Sequence, residues 1–381
     1  MADELKTTIR SILAAMKAPD GGGDVVSRNI VSDIFVADGK AFFSLSVPAK
    51  DAELFEPFRR DAERHIEKLD GVGKAMIALT AEKTAGEPAA RPAPVEARAP
   101  TTPQAGAERR ATKPGIPNVE RIVAVASGKG GVGKSTTAVN FALGLRDLGL
   151  RVGILDADIY GPSIPRLLDL KDKKPQSAGG RLLMPLEAYG LKAMSIGLLV
   201  SEETAMVWRG PMVVSALNQM MREVEWGHLD MLVVDMPPGT GDAQLTMAQQ
   251  VPLAGAVIVS TPQDLSLIDA RRGISMFRKT DVPILGIVEN MSYFIAPDTG
   301  ARYDIFGHGG AEVEAAAQDV PFLGAVPLDM HIRVRSDEGV PIVQAEPDGP
   351  HATIYRDMAA RALAGLELGK HASEAPSIVF E

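Results

Sequence analysis

A chain of 381 residues, 45% hydrophobic and 23% charged, is long enough for two cores and has the make-up of a globular protein. Its formal net charge of −9 argues against a general nucleic-acid-binding surface, and no run reaches the roughly 18 apolar residues of a membrane span. The acid-bearing start Met1-Ala-Asp-Glu lacks a signal-peptide pattern and cysteine is absent, so the expectation is a cytoplasmic chain with no disulfide, no thiolate-held metal of its own, and neither nucleic acid nor membrane as a partner.

Residues 1–81 read as a small α+β domain. Leu5, Ile9, Ile12, Leu13 and Met16 recur at helical spacing until Pro19-Asp-Gly-Gly-Gly23 breaks the pattern. Residues 31–36 and 41–47 predict two strands joined by a hairpin turn at Asp38-Gly39. A charged helix over 51–69 follows, with Leu54, Phe55, Phe58, Ala62, Ile66 and Leu69 as its apolar stripe, and then a strand over 75–79. His65 falls on or beside that stripe, which predicts a packed histidine with its ring nitrogens satisfied. In residues 82–117, Pro88, Pro92, Pro94, Pro100, Pro103, Pro114 and Pro117 are interleaved with Ala, Glu and Arg. Too few large apolar side chains are present to offset the entropy of ordering, so this stretch reads as a disordered linker.

Residues 118–370 alternate strand runs with helix-forming runs, the pattern of a doubly wound α/β domain with a mostly parallel sheet. Strands are predicted at 122–126, 152–156, 231–235, 256–260, 284–289 and 322–326, several of them continuously apolar as in sheets covered on both faces. Helices are predicted after the glycine loop and from Gly241-Asp242, Asp264, Gly309 and Gly349. The last lacks the basic face of a membrane-surface helix and is expected to pack on the sheet. The tail, residues 371–381, has neither helical periodicity nor positive charge.

Between the first of these strands and its helix lies Gly128-Lys-Gly-Gly-Val-Gly-Lys-Ser135, a fit to G-x-x-x-x-G-K-S/T in the context a phosphate-binding loop needs. Glycines let successive N–H groups turn inward at a positive helix N-terminus. The nucleotide-binding set is therefore Gly128, Lys129, Gly130, Gly131, Val132, Gly133, Lys134, Ser135 and Thr136. Lys134 is expected to reach the β- and γ-phosphates of ATP, and Ser135 to ligate Mg²⁺. Asp235 ends the apolar strand Met231-Leu-Val-Val-Asp235, the Walker B arrangement that supports Mg²⁺. Gly239, in the loop Met236-Pro-Pro-Gly-Thr-Gly-Asp242, is positioned to donate its N–H to a γ-phosphate and to move when that phosphate leaves. Asp156 and Asp158 sit at i and i+2 after another strand and point to one side. We assign Asp158 to the attacking water and Asp156 to Mg²⁺ or a lysine, with the reverse split open. Lys129 is a second loop cation, either solvated at the tip or delivered to a partner subunit's nucleotide as an arginine finger would be.

The loop is similar to the deviant Walker A of MinD/ParA-type P-loop ATPases, where the extra lysine acts across an ATP-sandwich dimer. More narrowly, Asp156-Ala-Asp-Ile-Tyr-Gly-Pro-Ser163, Val207-Trp-Arg-Gly-Pro-Met212, Asp235-Met-Pro-Pro-Gly-Thr-Gly-Asp242 and Glu289-Asn-Met-Ser292 resemble the Mrp/ApbC family of iron–sulfur cluster carrier ATPases. The first 80 residues or so resemble the small iron–sulfur-assembly domain that many bacterial members carry at the N-terminus. The resemblance implies a homodimer that binds and slowly hydrolyses Mg-ATP, with iron–sulfur assembly or recipient proteins as partners. It also implies adenine contacts from Asn290 and the loop Pro327-Leu-Asp-Met330, and a [4Fe–4S] cluster held by a Cys-Pro-x-Cys motif. Here Ala296 and Thr299 stand at the cysteine positions. A methyl group cannot ligate iron, and a hydroxyl is a hard, weak ligand for a cluster held by soft thiolates. Asp298, Asp304 and His308 offer O and N atoms nearby, although their spacing matches no defined ligand pattern and a polar turn is the plainer reading. Trp208 and Arg209 suit a partner surface or the core equally. The expectation is a carrier-family ATPase acting in iron–sulfur cluster assembly, transfer or regulation, without thiolate-held clusters on this chain alone. The alternatives are a MinD/ParA-like positioning ATPase and a nucleotide-dependent scaffold.

Overall fold

The structure is a computed structural model that describes residues 2–82 and 115–373, apart from 29, 33, 38–39, 49–50, 180–181 and 201–209. The chain divides into two compact units, Met1–Thr112 and Lys113–Glu381. The predicted linker is mostly outside the described residues, as are the turn Asp38-Gly39, Trp208, Arg209 and most of the tail. Ile116, assigned to the linker from its composition, is buried in the core of the second unit.

In the first unit, α1 (Ala2–Ala15), β1 (Phe35–Ala37), β2 (Lys40–Pro48), α2 (Ala52–Ile66) and β3 (Lys74–Glu82) surround one apolar cluster. β1 pairs antiparallel with β2, which pairs in parallel with β3 after the α2 crossover. The first strand is shorter than expected. Val31 makes only an isolated bridge to Leu45, and the Ser32 hydroxyl accepts the Ser44 N–H at 2.8 Å, so a side chain interrupts the ladder. The α2 stripe is Phe55, Phe58, Ala62 and Ile66, with the two phenylalanine rings edge to face at 5.9 Å. His65 is exposed, contrary to expectation, because it lies about 100° around the helix from Ile66. Its Nδ1 meets the Asp61 carbonyl at 2.8 Å.

The second unit begins with β4 (Val119–Ala126), α3 (Lys134–Asp147), β5 (Val152–Asp156) and α4 (Ile164–Leu167). A two-stranded ribbon, β6 (Ser177–Gly179) with β7 (Leu182–Leu183), precedes β8 (Leu186–Ala188), β9 (Leu191–Ser195) and α5 (Gly210–Arg222). Next come β10 (Leu229–Asp235), α6 (Asp242–Gln250), β11 (Gly255–Ser260), α7 (Asp264–Lys279) and β12 (Ile284–Glu289). A second ribbon, β13 (Phe294–Ile295) with β14 (Arg302–Tyr303), leads to α8 (Gly310–Ala317) and β15 (Phe322–Ala325). The chain ends in α9 (Met330–Asp337), α10 (Ile342–Ala345) and α11 (Pro350–Ser373).

One eight-stranded sheet runs β15-β12-β11-β4-β10-β5-β9-β8, with β8 its antiparallel edge and the other neighbours parallel. Alternate strand residues feed two separate cores, as a period of two requires. Ile122, Ala124, Leu232 and Val234 join residues of α5, α6, α7 and α8, whereas Val123, Val125, Met231 and Val233 join α3, α4, α10 and α11. Because β4 sits between β10 and β11, the loop leaving it opens at the centre of the sheet's C-terminal edge.

The long α11 packs on α3 as well as on the sheet. Gly144 of α3 makes that approach possible, since a Cβ there would lie 2.8 Å from the Tyr355 carbonyl oxygen and 3.2 Å from Ala359 Cβ. Asn140 Oδ1 accepts the Val343 N–H at 3.1 Å and ties α3 to α10. Gly144→Val is expected to wedge the two helices apart at a cost of about 1–3 kcal/mol, read as a lower urea midpoint. A wild-type midpoint would mean that the helices separate without penalty.

Candidate functional site

The glycine loop leaves β4 with a sharp reversal. Gly131 and Gly133 have φ of 80° and 79°, conformations that side chains with a Cβ rarely adopt, and the Thr137 N–H donates to the Gly133 carbonyl at 3.0 Å as α3 begins. The Ser127 hydroxyl donates to the Lys129 carbonyl at 2.9 Å, bracing the first half of the loop. Packing fixes the remainder. A Cβ on Gly128 would lie 2.2 Å from the backbone of Asp269 in α7, and one on Gly133 would lie 2.1 Å from Asn290 Nδ2.

Within this frame Lys134 is almost fully buried and its Nζ lies 2.5 Å from Asp235 Oδ1. The same ammonium is 3.3 Å from the Ser135 hydroxyl. Asp235 has no solvent exposure, and its second oxygen, Oδ2, is buried without a hydrogen-bond partner. A buried carboxylate oxygen left unpartnered, next to a hydroxyl, fits the hard-oxygen chemistry that Mg²⁺ demands. Asp235 and Ser135 therefore pass as a metal-supporting pair.

Asp156 meets a different environment. Its Oδ1 accepts the Asp158 N–H at 3.1 Å, and its Oδ2 accepts the N–H groups of Ser163 at 3.0 Å and Ile164 at 3.1 Å together with the Ser195 hydroxyl at 3.0 Å. The expected role in holding Mg²⁺ thus falls on a carboxylate already occupied by its own chain. Burial, with the Asp235 charge second, pushes its carboxyl up to about 7. Asp158 is half-buried, and burial raises its carboxyl as well, opposed by the nearby Lys134 ammonium and by the Gly161 N–H at 3.2 Å.

A cavity of about 580 Å³ brings Lys129, Gly130, Gly131, Gly133, Lys134, Ser135 and Thr136 together with Asp158. Its far wall holds residues the sequence reading missed: Arg166 and Leu167 of α4, and Ser336 and Asp337 of α9. Nothing in the local sequence of α9 marks it as part of a phosphate site. Gly128, Val132, Asn290, Gly239 and Pro327 do not line the cavity. Asn290 instead donates from Nδ2 to the Val132 carbonyl at 2.8 Å and pins the loop from behind. The Gly239 N–H is engaged with the Ser127 carbonyl at 3.0 Å and is not available to a phosphate in this arrangement. Pro327 is buried in the turn after β15. Gln244, also missed, is buried and donates to the Pro237 carbonyl.

The segment with Ala296 and Thr299 forms the tip of the β13–β14 ribbon. Ala296 is buried, and the Ala301 N–H faces Thr299 Oγ1 at 3.3 Å. The ribbon presents no soft donor at either position. Asp304 and His308 are neighbours, but Arg302 donates to Asp304 at 2.9 Å and lies 3.0 Å from His308 Nδ1. A guanidinium already fills that space, so the Asp298, Asp304 and His308 grouping does not assemble as a cation site. Among the described residues, Glu120, His228 and Asp230 bring ligating atoms within 4.8 Å of one another, at the opposite strand ends. There Arg151 already pairs with both oxygens of Asp230, at 2.9 and 2.5 Å. No described helix is long and apolar enough to cross a membrane.

Against this geometry, the sequence model of the NUBPL iron-transfer P-loop NTPase family matches residues 118–363, and that of an iron–sulfur cluster assembly protein family matches residues 6–77. An iron–sulfur cluster carrier protein of Synechocystis is 43% identical over 348 residues, covering 90% of this chain and 93% of its own. The Escherichia coli K12 protein of the same description is 53% identical over 259 residues, 68% of this chain and 70% of its own. Among solved structures, an Archaeoglobus fulgidus nucleotide-binding protein in complex with ADP aligns with a TM-score of 0.54 at 38% identity, over 62% of this chain and 91% of that one. The Pyrococcus furiosus cell division ATPase MinD aligns at 0.50 and 20% identity, over 64% and 98%, a likeness of fold alone.

Lys134→Ala leaves Asp235 buried and unpaired, and is expected to cost about 3–5 kcal/mol in the nucleotide-free chain. Adding Asp235→Asn is expected to return most of it in a denaturant titration. Equal losses in the single and double variants would exclude the pair as the source.

Proposed function

The chain belongs to the NUBPL iron-transfer P-loop NTPase family, whose relatives here are iron–sulfur cluster carrier proteins, and from that premise we propose that it binds Mg-ATP and hydrolyses it as a homodimer. Its place is in iron–sulfur cluster assembly, transfer or regulation in the cytoplasm, with assembly or recipient proteins as partners. The observation that carries the reading is the meeting of Lys134 and Asp158 at one glycine-lined cavity, with Asp235 buried behind it 2.5 Å from the Lys134 ammonium.

In the proposed cycle the triphosphate draws Lys134 from Asp235 to the β- and γ-phosphates, where the loop N–H groups spread the charge. Asp235, released from the lysine, and Ser135 would then hold Mg²⁺, which would supply positive charge for transfer of the γ-phosphoryl group. Asp158 orients the attacking water, a task that asks for position more than for basicity. Gly239 exchanges its bond to Ser127 for the γ-phosphate, and Lys129 reaches across the dimer to the partner's nucleotide. Asn290 and Pro327 contribute to the adenine end once nucleotide is present.

Residues 1–81, joined by the proline-rich stretch to an ATPase domain whose core already includes Ile116, act as the assembly-type module. The cluster is cargo in this scheme, and the protein that docks supplies its thiolates, because Ala296, Thr299 and every other side chain of this chain lack sulfur of the right kind. The positioning-ATPase alternative draws on neighbours only 20% identical, which speak to fold and not to cargo.

Two measurements test the scheme. Lys134→Ala is expected to abolish binding of a fluorescent ATP analogue, and Lys129→Ala to keep most of that binding while losing at least about tenfold in phosphate release together with ATP-dependent dimerisation in light scattering. A fully active, monomeric Lys129→Ala chain would remove the role in trans. Anaerobic reconstitution of the isolated chain with iron and sulfide is expected to give no stoichiometric thiolate-to-iron charge-transfer band; a stable cluster would overturn the assignment of thiolates to the partner.

A further inference from the structure

We propose that Asp156 is a positioning residue for hydrolysis: it anchors the 158–164 segment so that Asp158 faces the glycine loop across the phosphate cavity. The inference rests on the ATPase reading and assigns, within it, the residue that gives Asp158 its place.

A carboxylate offers about four acceptor directions, and Asp156 receives four donors: the N–H groups of Asp158, Ser163 and Ile164, and the Ser195 hydroxyl, all between 3.0 and 3.1 Å. Asp156 and Ser195 have no solvent exposure, and they face one another in register across β5 and β9. Ser195 is itself held, because its Oγ accepts the Gly197 N–H at 3.1 Å. The arrangement ties a strand end, the loop after it, the start of α4 and the neighbouring strand to one point. Neither Asp156 nor Ser195 lines the cavity, whereas Asp158, Gly161, Pro162, Ser163 and Arg166 of the tied segment do. The loop after β5 and the start of α4 thus take their position on that wall from a group that does not line it.

The requirement follows from the chemistry at Asp158. Orienting a water for in-line attack depends on placement to within a fraction of an ångström, and Asp158 stands in a loop with no ladder to hold it. Inside the loop, its own carboxylate accepts backbone N–H groups from Tyr160 and Gly161, contacts that move with the loop and do not fix it to the sheet. An amide at position 156 keeps one acceptor oxygen but turns an NH₂ toward backbone donors, which frees the segment with little change in volume. Removing the Ser195 hydroxyl weakens the same anchor from outside the cavity.

The test uses the full chain and reads nucleotide binding, metal binding and turnover separately. In Asp156→Asn, the affinity for a fluorescent ATP analogue and the electron paramagnetic resonance signal of Mn²⁺ bound with nucleotide are expected to stay within about threefold, while kcat falls about tenfold or more with KM little changed. Ser195→Ala is expected to shift kcat in the same direction by a smaller factor, and it decides the matter if Asp156→Asn does not fold. The double variant Asp156→Asn with Asp158→Ala is expected to be no slower than Asp158→Ala alone, since the first residue acts through the second. Loss of the Mn²⁺ signal in Asp156→Asn would make it a metal-holding residue instead, and falls that multiply in the double variant would make its effect independent of Asp158; either overturns the proposal. A wild-type chain that binds no nucleotide sinks the ATPase reading and this role with it, whereas unchanged kcat in the variants beside an active wild type sinks the positioning role alone.

Discussion

Lys134 and Asp235 stand 101 residues apart in sequence and 2.5 Å apart in space, almost without water. An ammonium and a carboxylate taken out of solvent are each costly, and what makes the pair tolerable is that each neutralises the other at close range. Everything around them serves that contact. β4 and β10 are adjacent and in register, so the glycine loop and the Walker B carboxylate open at the same edge. Asn290 and α7 press the loop from behind, and the apolar layers on both faces exclude the water that would weaken the pairing. In the proposed cycle the contact is also provisional, because the phosphates and the metal would each claim one of its partners.

That provisional character gives the site two arrangements of similar internal consistency. In one, lysine and carboxylate satisfy each other and Gly239 is bonded to Ser127. In the other, proposed for the nucleotide-bound chain, lysine would face phosphate and the carboxylate would turn to Mg²⁺ its second oxygen, which is buried without a hydrogen-bond partner. An exchange between two paired states costs far less than the exposure of either charge alone, which is what a switch driven by nucleotide needs. The output of the switch is less local. The ribbon at Ala296 and Thr299 closes in a turn, with the Gly300 N–H donating to the Ala296 carbonyl at 2.8 Å, and offers no thiolate.

Much of this was legible in the sequence, for reasons that differ by feature. Continuous apolar runs ending in Asp156 and Asp235 announce buried parallel strands because burial on both faces leaves no room for alternation. The glycine loop is a local motif whose spacing is its geometry. The edge strand β8 and its neighbour β9 were passed over because such short segments carry little periodicity, whereas α5 was missed despite an apolar stripe of Met212, Val213, Ala216, Leu217 and Met220. Roles that depend on long-range partners were also hidden. Asp156 reads as a metal carboxylate until donors from residues 163, 164 and 195 are seen to surround it, and Asn290, an adenine contact by resemblance, has its amide on the Val132 carbonyl beneath the loop in a bond the sequence does not announce. His65 misled because a helix turns far enough in one residue to carry a side chain from core to solvent. Arg166 and Asp337 enter the cavity from helices that no motif marks.

The contact between α3 and α11 has a consequence for how the protein is made. The helix that begins with Lys134 is covered by the segment from Pro350 onward, through the gap left by Gly144. During synthesis the phosphate loop leaves the ribosome more than two hundred residues before the helix that braces it. For most of that interval the buried face of α3, including Phe141 and Leu145, has no cover from its final neighbour. Contacts of such long range form late and slowly. The nascent domain therefore leaves this apolar face of α3 without its final cover until α11 has been made.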